Sequence, residues 1–296
     1  MKSVLIKYLT ALSIIGILGL CFYYASSFYM AIVKEPLIFS LLVLVNLVHF
    51  YIQSSLFLLL LNTKMEASNR DCIGIWGCST ILSYLAPFQS GLMIRGVFFH
   101  SVGIKTKDIF TASFLQLFIN ITIGCLIILI IQYDKIQIEY ILIFVLFSVV
   151  TLKLLLKLNF IKEKLNTFSY HNIKYRLKKI LNQRATLIKI ISFSLAFHLI
   201  PGFSTYLGFQ LIGEVASFKD AILISSMSSV ASVFSILPNN IGIQEAIISG
   251  YTLNNLGSSE LGIKLSLLLR ITQLTAGVIA SIMSLNFIIS LYKKHV

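Results

Sequence analysis

Charge is scarce in this chain, and negative charge most of all. Only 12% of the 296 residues are charged and 57% are hydrophobic, whereas a soluble domain carries roughly 25% charged residues. That excludes a water-facing globular enzyme. There are 11 acidic residues. All four aspartates (Asp71, Asp108, Asp134 and Asp220) fall in predicted loops or at helix ends, and Glu245 alone among the glutamates lies in a stretch expected at membrane depth. The chain has no paired intramembrane carboxylates, no HExxH, no P-loop and no Gly-rich dinucleotide fingerprint. Metal-assisted and nucleotide-driven chemistry therefore have no visible foothold. We expect no catalytic residue, no metal, no cofactor and no enzymatic activity. The four cysteines are Cys21, Cys72, Cys78 and Cys125. They have neither CxxC spacing nor a nearby histidine, which suits packing rather than a disulfide or metal site.

Long apolar runs are what is present. A spanning helix needs about 20 mainly apolar residues. Such helices are predicted at roughly 5–28, 37–61, 109–131, 138–156, 188–212, 219–237 and 262–290. The first run is too long for a signal-peptide core and lacks a small-x-small cleavage site, so it reads as a retained helix. Tyr23, Tyr24, Phe28 and Tyr29 form an aromatic cluster suited to the headgroup level. Pro36 can open the second helix, where its missing N–H would be unpaired anyway.

Two apolar stretches do not read as simple spans. Residues 72–103 are interrupted at Ala86-Pro87-Phe88-Gln89-Ser90-Gly91, and residues 238–257 open with Pro-Asn-Asn-Ile-Gly. Each has a proline followed four residues later by a glycine, then a helix-like run to Gly103 or Gly257. Broken helices free backbone groups that lipid cannot satisfy, so they occur where protein or a water-filled cavity covers them. Paired interruptions in two halves of a chain point to an internal repeat and a transporter binding site. The expected fold is all-α: a polytopic transmembrane helical bundle of about seven spans with two broken or re-entrant segments. It forms one transmembrane domain over 1–296, with a first half at 1–156, a basic loop at 157–187 and a second half at 188–296.

Net charge is +13, and ten of the 24 basic residues fall between Lys153 and Lys189, opposed only by Glu163. A basic cluster beside spanning helices is a positive-inside signal and attracts anionic lipid headgroups. It argues against nucleic acid as a partner and makes loop 157–187 cytoplasmic. Lys174, Arg176, Lys178 and Lys179 are the candidate headgroup-surface residues. A re-entrant first stretch places the N-terminus on the cytoplasmic side too. With 219–237 counted as a span, a re-entrant second stretch puts Lys293 and Lys294 on the opposite side, against the rule.

A charge at membrane depth is costly and by default marks a functional site with a partner. Arg95 follows the first break, Glu245 follows the second, and Arg270 lies in the last long helix. Arg95 and Arg270 are both candidate partners of Glu245. The reading they suggest is an internal cavity that holds a charged headgroup, because a guanidinium fork matches phosphate. The alternative is a structural ion pair that pins the bundle. Candidate substrate-binding residues are Arg95, Glu245, Arg270, Pro87, Gly91, Pro238, Asn239, Asn240 and Gly242. Asn46, His49, Gln53, Gln116, Asn120, His198, Gln210 and Gln273 lie in spanning helices and suit interhelical hydrogen bonds. Ser225, Ser228, Ser229, Ser232 and Ser235 suit a close helix contact.

The segments Leu82-Ser-Tyr-Leu-Ala-Pro-Phe-Gln-Ser-Gly-Leu-Met-Ile-Arg95 and Leu237-Pro-Asn-Asn-Ile-Gly-Ile-Gln-Glu245, with Arg270 in Leu268-Leu-Arg-Ile-Thr, resemble the transmembrane region of lysylphosphatidylglycerol synthases, a flippase-like family. Met93 and Ile94 depart from that pattern, which often has an acidic residue before the arginine. The resemblance implies movement or handling of phospholipids or polyprenyl-linked lipids in a bacterial cytoplasmic (inner) membrane during envelope biogenesis. Membrane lipids and envelope-synthesis proteins are its implied partners. Lysine transfer is not expected from these 296 residues. Two other functions stay open: a membrane-embedded transferase acting on a polyprenyl-linked lipid, and a non-catalytic accessory subunit of an envelope-synthesis complex.

Overall fold

The computed structural model describes residues 19, 22–61, 68–84, 90–133, 176–178, 180, 182–232, 238–285 and 289. Regular structure among the described residues is helical throughout. The order is α1 (Ala25–Lys34), α2 (Pro36–Leu61), α3 (Asn69–Ser83), α4 (Ser90–Ser101), α5 (Thr106–Ile131), α6 (Arg184–Leu211), α7 (Phe218–Ala231), a 3₁₀ turn (Pro238–Asn240), α8 (Ile243–Leu256) and α9 (Ser259–Met283). Four of these, α2, α5, α6 and α9, are long and apolar enough to cross a membrane, at 25 to 28 residues each. They match the expected spans at 37–61, 109–131, 188–212 and 262–290. Pro36 opens α2 as expected. The expected span at 138–156, and that at 5–28 up to residue 18, lie outside the described residues. Of the aromatic cluster, Tyr23 and Tyr29 are exposed, while Tyr24 and Phe28 are buried against the bundle.

The order long, short, short, long occurs twice, as α2–α5 and as α6–α9. Every packing contact in the first set has its counterpart in the second. Thus α2 on α3 matches α6 on α7, α4 on α5 matches α8 on α9, and α2 on α5 matches α6 on α9. Across the halves, α3 packs on α9 as α7 packs on α5, and α2 and α6 pack on each other. Local chemistry repeats too. Ser68 accepts from the Asp71 N–H to cap α3, and Ser217 accepts from the Asp220 N–H to cap α7. Each cap satisfies an otherwise orphaned donor at the helix start.

Side-chain contacts show which ends meet. Arg176 donates to the Leu60 carbonyl at 2.8 Å and to Asp108 at 2.6 Å, and Ser284 donates to the Arg70 carbonyl at 2.8 Å. The end of α2, the starts of α3 and α5, Arg176 and the end of α9 therefore share one end of the bundle. At the opposite end Lys264 lies 5.2 Å from the Tyr24 ring, and Phe218 lies 5.9 Å from Tyr206. Both short pairs are therefore re-entrant hairpins that dip in from opposite ends, α3/α4 from the first and α7/α8 from the second. Tyr84, just past α3, donates to Gln273 at 3.0 Å, near the middle of the 25-residue α9. The hairpin tips thus reach about half depth.

This geometry corrects one expectation. Among the described residues the region 219–237 does not form a further crossing. Within it α7 has 14 residues, roughly 21 Å of helix against a hydrocarbon core of about 30 Å, and it serves as the first arm of the second hairpin. The end of α9 consequently lies at the Arg176 end. Lys293 and Lys294, whose side the sequence left open, lie outside the described residues.

Close helix seams hold the hairpins. A Cβ at Gly77 would stand 2.8 Å from the Gly277 carbonyl and 2.7 Å from the Ala280 Cβ. Without hydrophobic drive between helices in lipid, such small-residue seams supply the packing. In the first half the rings of Phe57, Trp76 and Phe99 pack tilted or edge-on, with centroids 4.8–5.8 Å apart, and join α2, α3 and α4.

Candidate functional site

Two features occupy the mid-depth region where the hairpin tips approach each other: a closed ion-pair clasp and an open polar cavity. The clasp is at the second tip. Arg270 donates to Glu245 Oε1 at 2.6 Å and Oε2 at 3.1 Å, and to the carbonyls of Asn239 at 3.0 Å and Asn240 at 3.3 Å. Glu245 Oε2 also accepts from the Gly242 N–H at 2.7 Å. The backbone needs this help. Asn239, Asn240 and Gly242 have φ of 40°, 59° and 89°, left-handed conformations that asparagine and glycine tolerate best. The turn exposes two carbonyls that no helix satisfies, and Arg270 caps both. Arg270 is 3% exposed. Sequence left Arg95 and Arg270 as alternative partners of Glu245, and the structure pairs it with Arg270.

The cavity has a volume of about 350 Å³. Its wall draws on eight helices, α2 to α9, and on the 3₁₀ turn. From α2 come Asn46, His49 and Gln53, from α5 Gln116 and Asn120, and from α9 Gln273. The two first arms contribute matching rows: Ser79, Thr80 and Ser83 of α3, and Ser228 and Ser229 of α7 with Ser232 just past its end. These rows lie at the same spacing from the capping serines Ser68 and Ser217, so the repeat extends into the site. Asn239 and Asn240 close the wall at the second tip.

Arg95 of α4 is the one charged side chain among the described residues that line the cavity. It donates from Nε to the Gly91 carbonyl at 3.0 Å and lies 4.9 Å from the Trp76 ring centroid. No carboxylate pairs with it among the described residues. The guanidinium thus keeps donors free for an anion, while cation–π attraction holds its plane. The Trp76 N–H donates to Gln53 Oε1 at 2.7 Å, and Gln53 Nε2 lies 2.5 Å from His49 Nε2.

The structure therefore divides the expected site residues. Arg95, Gly91, Asn239 and Asn240 line the cavity, whereas Glu245, Arg270 and Gly242 form the clasp behind the Asn239–Asn240 turn. Pro238 begins that turn, and Pro87 lies outside the described residues. In the basic loop Lys178 is exposed, Arg176 is engaged by Asp108 and Leu60, and Lys174 and Lys179 lie outside the described residues. Most polar residues assigned to interhelical hydrogen bonds from sequence make them, as Gln116 does to the Gln53 carbonyl, Ser194 to Asn120 and Tyr84 to Gln273, and line the cavity as well. His198 is fully buried beside Asn120, and Gln210 is exposed. Sequence reasoning missed Trp76, Ser79, Thr80 and Ser83. The spacing they share with Ser225, Ser228, Ser229 and Ser232, counted from the Ser-x-x-Asp caps, was the available signal.

The family model "Lysylphosphatidylglycerol synthase TM region" matches residues 3–281. The chain belongs to this family. It is a multi-pass membrane protein of a family that handles lipid. No curated protein and no solved structure matches it.

Proposed function

We propose that the protein is a lipid flippase, or a closely related lipid-handling transporter, for a phospholipid or polyprenyl-linked lipid in envelope biogenesis in a bacterial cytoplasmic membrane. The observation that carries this reading is the polar cavity at mid-depth, with one arginine that no carboxylate among the described residues pairs, between two hairpins that enter from opposite ends. Inverted hairpins around a midplane site are a recurring arrangement in transporters. Lys105, Lys107, Arg176, Lys178 and Arg184 gather at one end of the bundle, which supports reading that end as the cytoplasmic one by the positive-inside rule. Arg95 receives the anionic headgroup. Arg270 and Glu245 hold the Asn239–Asn240 turn in the shape that the headgroup meets.

The test is scrambling of headgroup-labelled phospholipids and a labelled polyprenyl phosphate by purified protein in liposomes, with Arg95→Gln beside wild type. Wild-type movement that Arg95→Gln abolishes is the expected result. Equal movement by both proteins would remove Arg95 from the site, and no movement of any lipid would remove the transport reading.

A further inference from the structure

Resting on the reading of Arg95 as the anion site, we infer that Asn120 and Gln273 are two further anion donors of the cavity, one from each half of the repeat, and that Ser194 and Tyr84 are the positioning residues that turn their amide N–H groups toward the ligand.

The repeat singles these residues out. Asn120 is the fifteenth residue of α5 and Gln273 the fifteenth of α9, the long helices that close the two halves. Both line the cavity. Each has its side-chain oxygen taken by a hydroxyl from a distant segment. Ser194 of α6 donates to Asn120 Oδ1 at 2.6 Å, and Tyr84, just past α3, donates to Gln273 Oε1 at 3.0 Å. A carboxamide has one oxygen and one NH₂ group. With the oxygen bonded to protein, the NH₂ group is what remains for a ligand. Among the described residues neither Asn120 Nδ2 nor Gln273 Nε2 donates to protein, and neither is sealed from the cavity as His49 Nδ1 and the Ser228 hydroxyl are.

The amides of α2, and the other amide of α5, are held differently. Asn46 donates to the Leu42 carbonyl and Gln116 to the Gln53 carbonyl, so both use N–H groups on protein. Gln53 is bonded through its oxygen to Trp76 and through its nitrogen to His49. Asn120 and Gln273 keep their donors, and they stand at the same place in the two halves. Arg95 uses Nε on the Gly91 carbonyl and keeps its terminal N–H groups. A guanidinium fork engages two phosphate oxygens, and neutral N–H donors can serve the remaining lone pairs without adding charge at mid-depth, where charge is expensive. Positioning matters because an amide free to turn would offer its oxygen as readily as its nitrogen, and an oxygen repels an anion.

The chain's single tryptophan is Trp76, 4.9 Å from Arg95, so its emission reports an anion at that guanidinium. The experiment is a fluorescence titration of the purified protein in detergent with phosphatidylmethanol, with diacylglycerol as the phosphate-free control and dimethyl phosphate as the free anion. Wild type is run beside Gln273→Met and Asn120→Leu, which keep size and lose the donors, and beside Tyr84→Phe and Ser194→Ala, each checked by thermal unfolding. Gln273→Met and Asn120→Leu should each weaken phosphatidylmethanol binding about tenfold, the scale of one hydrogen bond to a charged group, and leave diacylglycerol binding unchanged. Tyr84→Phe and Ser194→Ala should weaken it severalfold. Tyr84→Phe should add nothing in a Gln273→Met background, nor Ser194→Ala in an Asn120→Leu background, because each hydroxyl acts through its amide. A merely structural hydroxyl would add its own loss in both. Dimethyl phosphate bound with the same variant pattern supports a site for the phosphate alone, and binding of phosphatidylmethanol only supports one that needs the lipid chains. Unchanged affinity in Gln273→Met or Asn120→Leu overturns the inference, as does additivity of either pair. Should those two variants unfold early, Tyr84→Phe and Ser194→Ala decide, and unaltered anion binding in both overturns it. No response of wild-type Trp76 to either anion overturns it together with the placement of the headgroup at Arg95. Anion binding that follows the variants, with no lipid moved in liposomes, leaves the inference and removes the transport reading. Lipid movement with unaltered affinities does the reverse.

Discussion

The two hairpins meet the same physical difficulty in opposite ways. Each breaks a helix at mid-depth, where lipid offers nothing to the freed backbone groups. At the second tip protein supplies the answer: Arg270 and Glu245 bond the turn and each other, and no charge is left over. At the first tip the arginine sits on the second arm of the hairpin rather than on the long helix that follows it: Arg95 of α4 rests on Trp76 and faces the cavity. One half of the repeat uses its charge to hold a fold, and the other leaves its charge for a ligand. A repeated architecture can therefore divide stability and recognition between its copies.

The sharpest way to break this comparison is at the clasp. Glu245→Ala leaves Arg270 buried and uncompensated, a defect costing about 3–5 kcal/mol. Thermal unfolding in detergent should show a large loss, and the Glu245→Ala/Arg270→Met double variant should lose less than the two single changes summed. Simple additivity would mean that the pair is not coupled. Next comes the seam beneath the first hairpin. Gly77→Val forces a side chain against Gly277 and Ala280 and should cost about 1–3 kcal/mol as overpacking. A neutral result would show that α3 does not sit on α9.

The caps sharpen the comparison. Ser68→Ala and Ser217→Ala should each cost about 1 kcal/mol, with similar values because the two caps are equivalent. Widely different losses in thermal unfolding would argue against equivalent hairpins. The smallest effect on stability is expected at Arg95. Arg95→Gln should unfold within about 1 kcal/mol of wild type, as a partly exposed side chain outside any ion pair does, while losing lipid movement. A large loss of stability with transport intact would reverse the roles assigned to the two arginines.

Much of the architecture was legible in the chain itself. Runs of apolar residues over 37–61, 109–131, 188–212 and 262–290 announce spanning helices because bilayer thickness imposes their length. Pro36, the break at Pro238-Asn-Asn-Ile-Gly and the stop at Gly257 are local backbone chemistry, and each stands where sequence placed it. The scarcity of carboxylates singled out Glu245, since a lone acid among apolar residues needs a partner.

Other features were decided only when the chain folded. Hydropathy scores one segment at a time, so the arm at Phe218–Ala231 looks like a span until its return through α8 is seen. Two arginines were equally available to Glu245. Packing of α8 on α9 brings Arg270 to it, while α4 lies on the other hairpin and carries Arg95 to the cavity. The cavity wall is likewise a tertiary fact. Single serines, amides and a histidine spread over seven helices carry little meaning one by one, and they become a polar site only where two inverted hairpins bring them to the same depth. Sequence determined which segments enter the membrane, because that depends on the solvation of each segment alone. Tertiary structure decided which charge is neutralised and which is left free, because that depends on distances between segments far apart in the chain.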